Sequence, residues 1–275
     1  MLTRGSLLVA AIAAVTACGG ATDPAGPGAA APVSGQGDDA LAATLAAYRR
    51  AAGGDRVDLV QRLRATGVSF TQGDQSNRRL VLQAAPPGQF RQYEAPIDDR
   101  SPQAITGIGL DDGVGWRMGT TQLAGDGLSA DPAVRVRAFT LAARQNYINA
   151  LAGMLPLLLR TDPAIRMTSL PPATQGVDRG APAIAISTAD GPAGRLVFDP
   201  ATSLPAKFIA PYQRHIRAQG GEYTLVFSDF RAVDGVTLPF RITRSSDAGR
   251  ETQWSFSAVV INPNFAPGTF APPTR

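Results

Sequence analysis

Asp234-Gly235-Val236-Thr237-Leu238-Pro239-Phe240-Arg241-Ile242-Thr243 is the stretch that decides the fold. Val236, Leu238, Phe240 and Ile242 occupy every second position, so a strand here buries one face and wets the other. Asp-Gly just before it supplies the positive-φ pair of a tight hairpin, which makes Glu222 to Phe230 the antiparallel partner. Pro239 falls on the wet face and cannot donate to a ladder, which predicts an edge, a bulge or a barrel rim. Outward from this hairpin, Asp247-Ala248-Gly249 turns into Glu251 to Ile261, where Trp254, Phe256, Ala258 and Val260 alternate. Ala183 to Ser187 and Arg195 to Asp199 flank a turn at Asp190-Gly191. Val68 to Thr71, Arg79 to Gln83, Phe90 to Glu94 and Ile105 to Leu110 complete the strands toward the N-terminus. About ten antiparallel strands are more than a flat sheet carries without curling. The expected class is mainly β (α+β): a strongly curved antiparallel sheet, or incomplete β-barrel, wrapped on N-terminal and inserted helices.

Two short helices precede the strands. Asp38 and Asp39 can cap one that carries Leu41, Leu45 and Tyr48 on a single face and stops at Gly53-Gly54. Asp55 caps a second with Val57, Val60 and Leu63 as its stripe, Leu59 beside them and Gly67 as its end. The strands are interrupted by a longer helix starting at Asp131-Pro132, with Val134, Phe139, Ile148, Leu151 and Leu155 as apolar residues and Arg135, Arg137, Arg144 and Asn146 outward. Pro156 breaks it inside Met154-Leu155-Pro156-Leu157-Leu158-Leu159, because proline removes a helical donor and clashes with the turn before it. This helix is either a plug for the open side of the sheet or a lid over a lipid-binding cavity, two roles that can coexist.

The N-terminus carries an address. Arg4 precedes an apolar run from Leu7 to Ala17 that is too short to span a bilayer and matches the core of a secretory signal. Thr16-Ala17 ahead of Cys18, the only cysteine, resembles the lipobox of bacterial lipoproteins, in which the cysteine is acylated and becomes the first residue after cleavage. The alternative is a signal cut elsewhere, with Cys18 an incidental thiol. Residues 1–17 are then signal peptide, and 18–37 a lipidated cysteine with a Gly, Ala, Pro, Ser and Asp tether that has nothing to bury. Such a tether reaches roughly 25 Å. Residues 38–275 form one domain, since no second linker appears. The resemblance implies a palmitate-type anchor in the bacterial cell envelope, and the absence of aspartate at Gly19 resembles lipoproteins of the outer membrane's periplasmic face.

The formal net charge of +4 is a weak excess, and the arginines that supply it are scattered among acids rather than clustered as a nucleic-acid surface requires. The only histidine, His215, lies between Arg214 and Arg217 with no nucleophile signature nearby. With one histidine and Cys18 committed to lipid, too few ligands remain for zinc. No catalytic residue, metal or cofactor is expected. Asp98-Asp99 and Asp111-Asp112 read as turn chemistry.

Gly53-Gly54, Pro86-Pro87-Gly88-Gln89-Phe90-Arg91, Asp111-Asp112-Gly113-Val114-Gly115-Trp116, Phe198-Asp199-Pro200-Ala201-Thr202-Ser203-Leu204 and Asp234-Gly235-Val236-Thr237-Leu238-Pro239 occur in that order. Together they resemble the outer-membrane lipoprotein-sorting protein superfamily, the group of lipoprotein carriers and receptors. The resemblance spans nearly all of 38–275. It implies a curved sheet around helices with a hydrophobic cavity between them; a lipid on Cys18 would fix the protein, as in the membrane-anchored receptor, whereas a carrier shuttles freely. Phe90, Tyr93, Trp116 and Trp254, closed by Leu151, Leu155 and Leu158, are the residues expected to line that cavity. The expected function is non-catalytic binding of a lipid or a lipoprotein acyl chain. A scaffold that uses the sheet to contact another envelope protein is the alternative, and a hydrolase needing convergent polar groups in a cleft a distant third.

Overall fold

The computed structural model describes residues 34–73, 77–98, 105–119, 131–176, 178–212, 221–246, 249 and 251–273. Cys18, Asp99 and His215 lie outside them, as do the signal and most of the tether. Among the described residues twelve antiparallel strands make one unclosed sheet: β1 (Leu63–Thr71), β2 (Arg78–Ala85), β3 (Gln89–Pro96), β4 (Thr106–Asp111), β5 (Val114–Met118), β6 (Ile165–Leu170), β7 (Ala183–Thr188), β8 (Gly191–Phe198), β9 (Pro205–Pro211), β10 (Glu222–Val233), β11 (Val236–Ser246) and β12 (Glu251–Ile261). Their order is β5-β4-β3-β2-β1-β12-β11-β10-β9-β8-β7-β6, so β5 and β6 are the edges. The helices are α1 (Ser34–Ala52), α2 (Asp55–Asp58), α3 (Pro132–Met154) and α4 (Pro156–Leu159).

The deciding hairpin forms as read. Asp234 and Gly235 have φ of 51° and 80°, and Val236, Leu238, Phe240 and Ile242 are buried. Pro239 is buried rather than wet; it lies past the end of the β11–β12 pairing, which runs only from Arg241 to Ser245, so its missing donor breaks no bond to β12. The alternation expected in β12 fails after Phe256. Ser257 is skipped in the pairing with β1, and this bulge moves Val259 inward and turns Ala258 and Val260 out. Gly67 sits opposite it, where a Cβ would collide with the Ser255 carbonyl. Gly67 therefore serves a strand crossing and not a helix end. The second helix is accordingly a single turn, and Leu59 is exposed. Beyond that turn Asn262 holds the chain extended, accepting from the Gln61 and Arg62 amides and donating to the Leu59 carbonyl.

α3 starts where expected, its N-cap Asp131 accepting from the Ala133 amide at 2.8 Å. Leu155 leaves helical geometry and Pro156 opens α4. Val134 and Val136 are half-exposed, and burial begins only at Ala142, because the first turns stand beyond the edge strand β5. At Gly115 the missing Cβ lets the helix backbone approach, and the Gly115 amide donates to Thr140 Oγ1 at 2.9 Å. From there α3 crosses the concave face toward β8, β9 and β11, while α1 packs Leu41, Leu45 and Tyr48 onto the same core, with Tyr48 against Phe198. Strands β5, β6 and β9 were not foreseen in the sequence. Two are short edges, and β9 carries Lys207 inside an otherwise apolar run.

Candidate functional site

Of the seven residues expected to line a cavity, five lie in the core around α3 and two, Tyr93 and Trp116, lie outside it. Strand parity divides them first. Phe90 faces α3, its ring 6.1 Å from Tyr147, so Tyr93, three residues on, points to the convex side. There it meets Trp116, which is buried beneath the C-terminal segment and donates to the Phe270 carbonyl at 2.7 Å. Phe90, Leu151, Leu155, Leu158 and Trp254 do share the concave core, packed among its side chains. Of these residues only Leu158 borders a described hollow, beside Val57, Pro86, Pro87 and Arg160.

A different hollow opens on the other flank of α3. It has a volume of about 410 Å³ between the helix, the β7–β8 turn and the end of β9, walled by Leu141, Ile148, Pro192, Ala193 and Pro211. A smaller pocket of about 90 Å³ continues it toward β10 and β11, sharing Gln145, Pro211 and Tyr212 and adding Asn149, Tyr223 and Arg244. Polar side chains occur at both ends, Arg144, Thr188 and Asp190 at the wider one and Asn149, Tyr223 and Arg244 at the narrower. Its geometry comes from a bulge in β8. Ile186 pairs with Gly194 and Ser187 with Pro192, which leaves Ala193 out of the β7 ladder. The Ala193 carbonyl instead accepts from Gln145 Nε2 at 3.0 Å. The same nitrogen reaches Asn149 Oδ1 at 3.0 Å, and the Asn149 amide lies 2.8 Å (Nδ2) and 3.0 Å (Oδ1) from the Tyr223 hydroxyl. Gln145 and Asn149 are 8% and 4% exposed, so this chain of bonds satisfies groups that water cannot reach.

Burial raises the Tyr223 pKa, against the lowering effect of Arg244 and of bonds from Asn149 and Gln145, so the phenol stays neutral. The Arg244 guanidinium lies 4.3 Å from the Tyr223 ring centre and 5.9 Å from that of Tyr212. At the wider end Arg144 pairs with Asp190 at 2.9 Å. The sequence reading missed this site. Gly191 and Gly194, with φ of 123° and 152°, bracket the bulge and are the visible signal in the sequence, where Asp190-Gly191 reads as a hairpin turn. Among the described residues no group of three or more His, Cys, Asp or Glu could hold a metal ion. Asp111 and Asp112 form the β4–β5 turn, Asp112 at φ 47° and Asp111 accepting from Gln89.

Sheet, plug and hollow define an incomplete antiparallel barrel closed by an inserted helix, with an amphipathic hollow along that helix. No family profile matches the chain, and no curated protein sequence matches it significantly. Solved structures that resemble it include an outer membrane lipoprotein-sorting protein domain from Vibrio parahaemolyticus, at 10% identity and a TM-score of 0.48, covering 86% of this chain and 96% of that one. A LolA superfamily protein from Nitrosomonas europaea resembles it at 11% identity and 0.48, covering 83% and 97%. A DUF1329 family protein from Desulfovibrio piger does so at 11% and 0.46, covering 84% and 96%.

Proposed function

We propose that this protein is a lipid-anchored binding protein of the bacterial envelope that holds an acyl chain, free or carried by a lipoprotein, without catalysis. The supporting observation is the hollow beside α3. Its volume of about 410 Å³ lies in the range of small-ligand sites, and its walls are mostly apolar. Burying a chain there supplies affinity at about 25 cal/mol per Å². On this reading Cys18 carries the anchor, the tether holds the half-barrel on the periplasmic face of the outer membrane, and the ligand enters past α3 rather than into the packed interior. Among the described residues no helix is long and apolar enough to cross a membrane.

A second reading has its own observation. The concave face is filled and the sheet ends at two edge strands, which favours a scaffold presenting β5 or β6 to another envelope protein. The test is native mass spectrometry with lipid extraction on the full chain purified from a bacterial envelope. Acyl species retained by the wild type and lost from Leu141→Trp, which fills the hollow, are the expected result. A folded protein that is empty in both forms overturns the acyl-chain reading and leaves the scaffold, to be pursued by crosslinking.

A further inference from the structure

We infer that the narrow end of this hollow is an anion site built around Arg244, so that the ligand is a single-chain amphiphile with a carboxylate or phosphate head rather than a neutral lipid. The inference rests on the acyl-chain reading above and adds the chemistry of the head. Charge is the first argument. Three other cations near this part of the sheet are matched: Arg144 with Asp190 at 2.9 Å, Lys207 with Asp178 at 2.6 Å, and Arg195 with Glu222 at 3.8 Å. Arg244 has no carboxylate within ion-pair distance among the described residues. It shares a strand face with the inward Ile242, which directs it to the concave side.

Posture is the second argument. Arg244 lies against the Tyr223 ring, its guanidinium carbon 4.3 Å from the ring centre, and no carboxylate among the described residues takes up its N–H fork, the group that meets a carboxylate or phosphate with two parallel bonds. The platform beneath is fixed, since Tyr223 is tied to Asn149, Asn149 to Gln145, and Gln145 to the bulged Ala193 carbonyl. A guanidinium held this way loses little freedom when an anion arrives. Size is the third argument. At about 30 Å³ per water-sized group, the pocket of about 90 Å³ beside Arg244 holds a small polar head, while the larger hollow it opens into takes the chain.

The experiment is calorimetric titration of the full chain carrying Cys18→Ser with decanoate, decyl phosphate, decanol and inorganic phosphate, each below self-association. Decanoate and decyl phosphate are expected to bind at least tenfold tighter than decanol. Arg244→Gln should bring both down to about the level of decanol, and Arg244→Lys should restore part of the difference. Inorganic phosphate alone should bind at least a hundredfold more weakly than decyl phosphate. Equal affinity for decanol and decanoate, or an undiminished preference in a folded Arg244→Gln, overturns the headgroup site and leaves the acyl-chain reading standing. Failure of all three chain compounds overturns the acyl-chain reading and this inference with it. Inorganic phosphate binding as tightly as decyl phosphate identifies a free-anion site and overturns the amphiphile.

Discussion

Asn262 adopts a φ of 50°, a conformation asparagine tolerates far better than alanine, and its side chain makes three hydrogen bonds of 2.8, 3.1 and 2.9 Å to the chain leading into β1. Asn262→Ala is expected to cost about 1–3 kcal/mol for the lost bonds and about 1 kcal/mol more for the positive φ. Asn262→Gly should incur only the first part, and urea unfolding separates the two. Equal losses would refute the backbone contribution. Glu94 shares the inward face of β3 with Phe90, and burial raises its pKa more than Arg78, at 3.6 Å, lowers it. The folded protein therefore holds this proton more tightly than the unfolded chain does, and the stability so gained is present below the ordinary value of 4.5 and lost as pH rises through the raised one. Glu94→Gln should melt above the wild type at pH 7, with the gap closing near pH 4; a gap independent of pH would show that the charge is not the cause.

At the scale of elements, legibility followed periodicity and failed at bulges. The β10–β11 hairpin was readable because Asp234-Gly235 and strict alternation agree, whereas one skipped residue at Ser257 reversed the second half of β12 and no composition signal marks it. Parity also divides the residues expected at the cavity: Phe90 and Tyr93 look alike as aromatic residues, yet an odd spacing puts them on opposite faces. The motifs that carried the resemblance prove to be turn and crossing chemistry. Asp199 accepts from the Ala201 and Thr202 amides at 2.8 Å each, and Gly53 lies where a Cβ would strike the Gly235 carbonyl, so two of the motifs touch each other. They specify how the sheet is connected and are silent on the ligand. Gly153 gives a test of packing against propensity. Ala there favours the helix by about 1 kcal/mol, but its Cβ would enter the Phe227 ring. Overpacking costs about 1–3 kcal/mol, so Gly153→Ala should lower the melting temperature; a rise would mean that Phe227 moves aside freely.

For the whole molecule, the decisive fact is that α3 lies in the half-barrel as part of its core. Leu151 and Leu155 have no exposed surface, so the residues that looked most like a ligand's neighbours are the ones holding the sheet together. From sequence alone a plug and a lid read identically, since both are apolar; only the place where packing stops separates them. It stops on the flank of α3 that carries Leu141, Arg144 and Gln145. Stability and binding should therefore respond to different substitutions. Decanoate at a hundred times its dissociation constant should stabilise the protein by about 2.7 kcal/mol, a rise of about 5–10 °C in a chain of this size. Leu151→Ala should cost about 2–5 kcal/mol through its cavity yet keep that ligand-induced rise. Leu141→Trp should stay close to wild type in stability and lose it. If Leu151→Ala instead folds and loses the rise, the chain is entering the interior beneath α3, and the helix acts as a lid that opens rather than a plug that a ligand skirts.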